Sequence, residues 1–403
     1  MRAGVTGAHA ALGFMRASDS FVVLGAAVRL RTAGVSAALT IIAATTSACV
    51  PVPRGGADRV FARMTLQQRV GQLFMVGTPA TSADPAVAAA ITGRHIGNVL
   101  LSGRSYQGIA GAAFVADTLQ LRTNNPATAG VPLFVAADME GGAVQVLNGP
   151  GFSAIPSALT QGTYPTSTLQ LDAGAWGRQL HAAGVNLDLA PVMDTVPSPA
   201  AAASNPPIGA FQREFGYSPA VVAAHGDAFI QGMSGAGVTS AIKHFPGLGR
   251  VSANTDTSSG VTDTVTTRGD AYLAPFASGI ASGAGFAMMS TAYYSRIDPR
   301  NPAAFSPSII NTILRGDLHF KGVVISDDIG AARQVAAWSP ANRALVFLAA
   351  GGDMILTVDP RVLPIMYDTV VAYAKANPTF RAIVDQAALK VLQAKQARGL
   401  IAP

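Results

Sequence analysis

Along this chain, short runs of consecutive apolar residues alternate with longer stretches in which apolar and polar positions recur at helical spacing. From about residue 58 onward the alternation is unbroken, and no Pro/Gly/Ser linker marks a domain boundary. Eight runs read as strands: 70–77, 96–101, 133–138, 185–194, 238–244, 285–290, 322–327 and 353–358. Between them lie helix-like stretches such as 169–183, 220–233, 306–314 and 342–350, several preceded by Ser or Asn as caps. The strand runs are continuously apolar rather than alternating, which indicates burial on both faces, as in a parallel sheet covered by helices. Eight βα units in one uninterrupted chain predict an α/β fold, a (β/α)8 TIM-like barrel forming a single catalytic domain. An open doubly wound sheet is the alternative, but Gly71 and Gly77 do not make its phosphate-binding fingerprint after the first strand.

In a barrel of this kind the chemistry sits where strands end. Three of the predicted strands run into reactive side chains. One is followed by Asp138, Met139, Glu140 and a Gly-Gly pair, a second ends in Lys243-His244 before a Pro/Gly turn, and a third ends in Asp327-Asp328. Asp194 also stands at a strand end, where a structural role is as open as a functional one. A cation and an imidazole side by side suit a site that grips sugar hydroxyls.

Composition narrows the function class. At 403 residues with 12% charged and 49% hydrophobic positions, the chain is long enough and apolar enough for a large core and argues against disorder. The formal charge of +6 carries Arg2, Arg16, Arg29 and Arg31 in its first 48 residues and shows no basic run elsewhere, so no nucleic-acid partner is expected. Past the first 48 residues, the histidines other than His244, namely His95, His181, His225 and His319, are scattered, and no metal is expected. No cofactor fingerprint occurs.

The lone cysteine, Cys49, excludes an internal disulfide. It follows Arg29-Leu30-Arg31, an almost wholly apolar stretch from Ala33 to Ala44, and the small residues Ser47-Ala48, the order of a secretory signal with its cleavage site. The apolar stretch is too short for a permanent membrane span. Small residues before a lone Cys resemble the lipobox of bacterial lipoproteins, although Thr46 stands where that motif usually has Leu. Residues 1–48 are therefore expected to be a lipoprotein-type signal peptide, 49–62 a tether, and 63–403 the barrel. Lipidation of Cys49 would place the protein at the extracytoplasmic face of the cell membrane.

The segments Ala137-Asp138-Met139-Glu140-Gly141-Gly142, Leu189 to Asp194, Arg213-Glu214-Phe215-Gly216, Lys243 to Gly249 and Val323 to Asp328, in that order, resemble glycoside hydrolase family 3. The similarity runs from roughly Met64 to Lys395 and is greatest to the family's single-domain β-N-acetylglucosaminidase branch, so no α/β sandwich domain is expected after the barrel. The resemblance implies that Asp327 is a nucleophile that forms a covalent glycosyl-enzyme with retention. It implies sugar-binding roles for Asp138, Arg213, Lys243 and His244. Asp328 and Glu140 are expected to be structural, Glu140 as the anchor of the Gly141-Gly142 turn. Ala143 replaces an Arg that often follows those glycines in the family.

One departure concerns the acid/base. The branch carries an Asp-Ser-His triplet in the loop after the Lys-His motif, whereas this chain has Asn254-Thr255-Asp256 and no histidine between His244 and His319. Asp256 is the expected replacement, a carboxylic acid able to cycle if burial or the Asp327 charge raises its pKa. The resulting expectation is a monomeric retaining exo-β-N-acetylglucosaminidase acting on a carbohydrate, the terminal N-acetylglucosamine of peptidoglycan-derived fragments. Phosphorolysis of the same bond and a catalytically degenerate glycan binder are the alternatives.

Overall fold

The computed structural model describes residues 55–403, so Cys49, the signal segment and residues 49–54 of the tether lie outside the described residues. Eight strands close into a parallel barrel in which every strand pairs with its sequence neighbours. They are β1 Phe74–Pro79, β2 Asn98–Ser102, β3 Phe134–Ala137, β4 Leu187–Asp188, β5 Thr239–Phe245, β6 Phe286–Met289, β7 Val323–Asp328 and β8 Met354–Thr357. The β1–β2 register (Met75 opposite Asn98) and the β1–β8 register (Phe74 opposite Ile355) complete the ring.

Alternation along the strands divides the core in two. Met75, Leu100, Phe134, Ala136, Leu187, Ala241, Phe286, Met288, Val323, Ile325, Met354 and Leu356 fill the barrel interior, where the Phe134 and Phe286 rings meet edge to face at 5.2 Å. Their neighbours Phe74, Val76, Val99, Val135, Ile242 and Val324 pack outward against the helices. Both sides of each strand are dry, which is why the strand sequences are continuously apolar.

Many of the outer helices start on a polar cap followed by Pro: Asp84-Pro85, Ser218-Pro219, Ser339-Pro340 and Asn377-Pro378. The cap side chain accepts a free backbone N–H, and Pro occupies a position whose own N–H would be orphaned. The last helix, Pro378–Ala397, closes the N-terminal end of the barrel. Its fully buried Lys395 donates to Gln72 Oε1, Gly97 O and Pro132 O, each at 2.8 Å, and burial away from any carboxylate lowers its pKa.

Four expectations are corrected. The strand expected at 70–77 begins only at Phe74, because Leu66–Gln72 is a helix started by a capping box in which Thr65 and Gln68 exchange hydrogen bonds. The run at 185–194 is a regular strand only over Leu187–Asp188 and afterwards keeps a single bridge, Val192 to Lys243, since Pro191 has no N–H to continue the ladder. The tether expected over 49–62 ends earlier, for Gly56–Arg63 is a helix that buries Ala57 and Val60 against Leu392 and Ile401. Ala57, Val60, Phe61 and Met64 follow the i, i+3, i+4, i+7 spacing of an apolar helix face. The helix expected at 306–314 is Ser308–Asp317, wound with the wider i→i+5 pattern.

Candidate active site

At the C-terminal end of the barrel a cavity of about 460 Å³ is lined by Asp138, Arg213, Lys243, His244, Asp256 and Asp327, over an apolar floor of Leu100, Leu189, Met288 and Leu356. All six barrel residues singled out from the sequence therefore meet in one place. Continuing the alternation beyond Ala136, Ala241 and Ile325 carries Asp138, Lys243 and Asp327 inward. The register is irregular between Ile242 and Phe245 and again between Ile325 and Asp328, the segments that hold the site residues. The Lys243–His244 peptide bond is cis.

Lys243 Nζ lies 2.6 Å from Asp138 Oδ1 and 2.6 Å from Glu140 Oε1. Arg213 donates twice to Glu140, Nε to Oε2 at 2.8 Å and Nη2 to Oε1 at 2.7 Å, and its Nη1 donates to Pro207 O. Burial pushes the Glu140 pKa up, but the charges of Arg213 and Lys243 outweigh it and hold the group at about 2. Burial would likewise lower the Lys243 pKa, yet Asp138 and Glu140 raise it, so the ammonium stays charged inside the barrel.

Glu140 was expected to anchor the glycine turn; instead its side chain is the shared counter-ion of both cations. It sits two positions after Asp138, and that period-2 spacing was the available signal. Asp138 has a 26% exposed side chain against 2% for Glu140, so it is Asp138 that faces the cavity. Glu140→Ala would strand Arg213 and a half-neutralised Lys243 in a dry setting, and a loss of about 3–5 kcal/mol is expected. A urea or thermal midpoint measures it. The wild-type contribution of Glu140 is complete above its ordinary value of 4.5 and fades as pH falls toward 2, so the gap between the two proteins should narrow in acid.

Asp194 also has a defined task. Its Oδ2 is 2.7 Å from His244 Nδ1, while its Oδ1 accepts the backbone N–H of His244 and of Leu248 at 3.0 and 2.9 Å. With Asp194 on Nδ1 and Arg213 Nη2 at 3.5 Å from Nε2, the neighbours assign the ring proton to Nδ1. Below them the fully buried Asp188 accepts from Met139 N at 3.0 Å, and burial pushes its pKa up to about 8.

On the opposite wall, Asp327 Oδ1 accepts from Asp328 N at 2.8 Å. Asp328 Oδ1 accepts the N–H groups of Gly330, Ala331 and Val358, tying the end of β7 to that of β8 in the structural role expected of it. Asp256 arrives on the loop after β5. As a residue it is exposed, but its carboxyl end lines the cavity. Partial burial there, together with the Asp327 charge, raises its pKa from 3.8 to about 6 against the opposing pull of His244.

Two carboxyl groups lining one sugar-sized cavity at the C-terminal end of the barrel, Asp256 with its pKa raised to about 6 and Asp327 at the end of β7, define a barrel glycosidase. The chain belongs to glycosyl hydrolase family 3, whose N-terminal domain matches residues 65–394. A β-hexosaminidase of Xylella fastidiosa is 39% identical over 240 residues, covering 58% of this chain and 69% of the relative. Among solved structures, a β-N-acetylhexosaminidase from Beutenbergia cavernae is 56% identical with a TM-score of 0.82, covering 83% of this chain and 99% of the other. A family 3 β-N-acetylglucosaminidase from a Paenibacillus species is 28% identical with a TM-score of 0.76, over 84% of this chain and 63% of the other.

Proposed function

We propose that this glycoside hydrolase is a retaining exo-β-N-acetylglucosaminidase that removes terminal N-acetylglucosamine from peptidoglycan-derived fragments. The observation that carries the reading is the shared mouth of Asp327 and Asp256 beside the Lys243–Asp138 grip. The names of the relatives from Xylella and Beutenbergia support a β-N-acetylhexosaminide as the bond cleaved.

The substrate's non-reducing sugar rests its C–H face on Leu100, Leu189, Met288 and Leu356, and its hydroxyls meet Asp138, Lys243, His244 and Arg213. An Asp327 carboxylate oxygen bonds to the anomeric carbon as the glycosidic C–O bond breaks, and the Asp256 proton passes to the leaving oxygen. Water then attacks the same carbon, gives its proton to the Asp256 carboxylate, and frees Asp327. Two displacements return the original β configuration. A metal has no part in this sequence of steps.

Cys49 is proposed to carry a lipid anchor at the extracytoplasmic face of the membrane, on the strength of the charged, apolar and small-residue segments before it. No helix among the described residues is long and apolar enough to cross a membrane. A monomeric state completes the proposal.

The test is an aryl β-N-acetylglucosaminide followed by NMR, with and without phosphate. Release of β-N-acetylglucosamine as the first product, unchanged by phosphate, is expected. First-formed α-anomer would overturn retention, and a sugar phosphate would replace hydrolysis by phosphorolysis, which an anionic Asp256 disfavours by repelling phosphate. Mass spectrometry of the protein extracted from membranes, with or without acyl chains on Cys49, decides the anchor.

A further inference from the structure

The loop that brings Asp256 to the cavity is held from the opposite wall. Asp256 lies in a stretch whose tip is largely exposed, but Thr255 before it and Val261 after it are 2% and 4% exposed. Two consecutive residues of the segment that follows β7 bind this stretch. Gln334 N donates to Thr255 O and Arg333 N to Asp256 O, each at 3.0 Å.

The Gln334 side chain completes the attachment by acting as a strand neighbour would. Its Oε1 accepts from Val261 N at 2.9 Å and its Nε2 donates to Val261 O at 3.0 Å. With 3% exposure, Gln334 satisfies a backbone N–H that has little water to turn to, and it shares the Val261 carbonyl with the Tyr293 N–H. The segment it belongs to is itself fixed to the reacting end of β7, since Asp328 Oδ1 holds Gly330 N and Ala331 N, and Arg343 donates to Ile329 O and Gly330 O. The loop of Asp256 is thus joined through hydrogen bonds to the segment that leaves β7 directly after Asp327 and Asp328.

We infer that Gln334 is a positioning residue for the general acid, locking the Asp256 loop onto the segment that carries Asp327. The inference rests on the reading of Asp256 as the acid. Gln334 touches neither substrate nor reacting atoms; it acts by holding the Asp256 carboxyl at the height of the leaving oxygen, where a displacement of about 1 Å costs on the order of 10²-fold. A buried amide that merely fills space would affect stability and leave the acid's contribution untouched.

The full-length enzyme with Gln334→Met, similar in shape but unable to pair with Val261, separates these roles. kcat/KM is measured on an aryl β-N-acetylglucosaminide with a dinitrophenolate leaving group and on a disaccharide, for wild type, Gln334→Met, Asp256→Asn and the double variant. Gln334→Met is expected to lose about 10- to 100-fold on the disaccharide and under about 3-fold on the activated substrate. In the Asp256→Asn background it should add less than about 2-fold, because the residue it serves is already disabled.

Equal losses on both substrates, or no loss on either, overturn the inference while leaving the acid in place. So does a loss on the disaccharide that persists undiminished in the Asp256→Asn background. If Asp256→Asn alone shows no dependence on the leaving group, the acid assignment is what has failed, and the role given to Gln334 goes with it. A second variant, Gln334→Glu, guards against misfolding of the first: it keeps the acceptor for Val261 N, and its losses should follow the same leaving-group pattern.

Discussion

Asp327→Ala is expected to lower kcat/KM on the order of 10⁴-fold or more, on activated and unactivated β-N-acetylglucosaminides alike, with the thermal midpoint little changed. On the proposed mechanism, removing the atom that would bond to the anomeric carbon affects every substrate whatever its leaving group, because the first displacement would lose its nucleophile. The local geometry makes the change cheap for folding. Asp327 is half-buried, its Oδ1 accepts one hydrogen bond from Asp328 N, and it forms no ion pair among the described residues. The strand end is secured instead by Asp328 and its three N–H donors. Intact-mass spectrometry of wild type mixed with a slow, activated glycoside should show one added sugar that maps to Asp327. An Asp327→Ala enzyme retaining a tenth of the parental rate would end the covalent mechanism. A parent with no measurable turnover would favour a glycan-binding barrel.

The second large effect belongs to Asp256. With a pKa of about 6, the group carries a proton below that value and loses it above, so kcat/KM for a disaccharide should fall as pH rises through about 6. Asparagine cannot titrate. Asp256→Asn is expected to flatten that limb and to cost about 10²- to 10⁴-fold on a disaccharide, while kcat/KM on a dinitrophenyl glycoside, whose leaving group needs no proton, stays near the parental value. Its kcat on the activated substrate should drop, because the second displacement still needs a base, and the intermediate then accumulates. An unchanged pH profile in the variant would show that another group supplies the proton.

The barrel could be read from the chain because burial on both faces leaves a local mark: eight dry strands produce eight continuous apolar runs, and Asp or Ser or Asn before Pro marks helix starts. The positions of Asp138, Lys243 and Asp327 were legible for a related reason. In a parallel barrel the residues just past the apolar run are at the open end, and alternation decides which of them turn inward. The helix at Leu66–Gln72 was missed although Thr65 and Gln68 announce it, since Val70, Leu73 and Phe74 continue as one apolar run across the turn between helix and strand.

What a residue does once it arrives was less visible. Glu140 looked like a turn residue until barrel closure brought Arg213, 73 positions away, onto both of its carboxylate oxygens. Asp194 could not be distinguished from a simple loop carboxylate until His244, 50 positions on, was seen to place Nδ1 against it. The pKa of Asp256 depends on its burial and on Asp327 from another strand, and its loop is hydrogen-bonded to Gln334, 78 positions from Asp256 in the chain.

By itself, then, the amino-acid order determined the eight-fold strand and helix pattern and the set of polar side chains at the strand ends, because both follow from the solvent exposure and alternation of neighbouring residues. Only the tertiary structure decided which charges neutralise one another, which histidine nitrogen carries the proton, and which carboxyl has its pKa raised. Those properties depend on distances across the ring and on the exclusion of water from it, and neither exists until the first and last strands have paired.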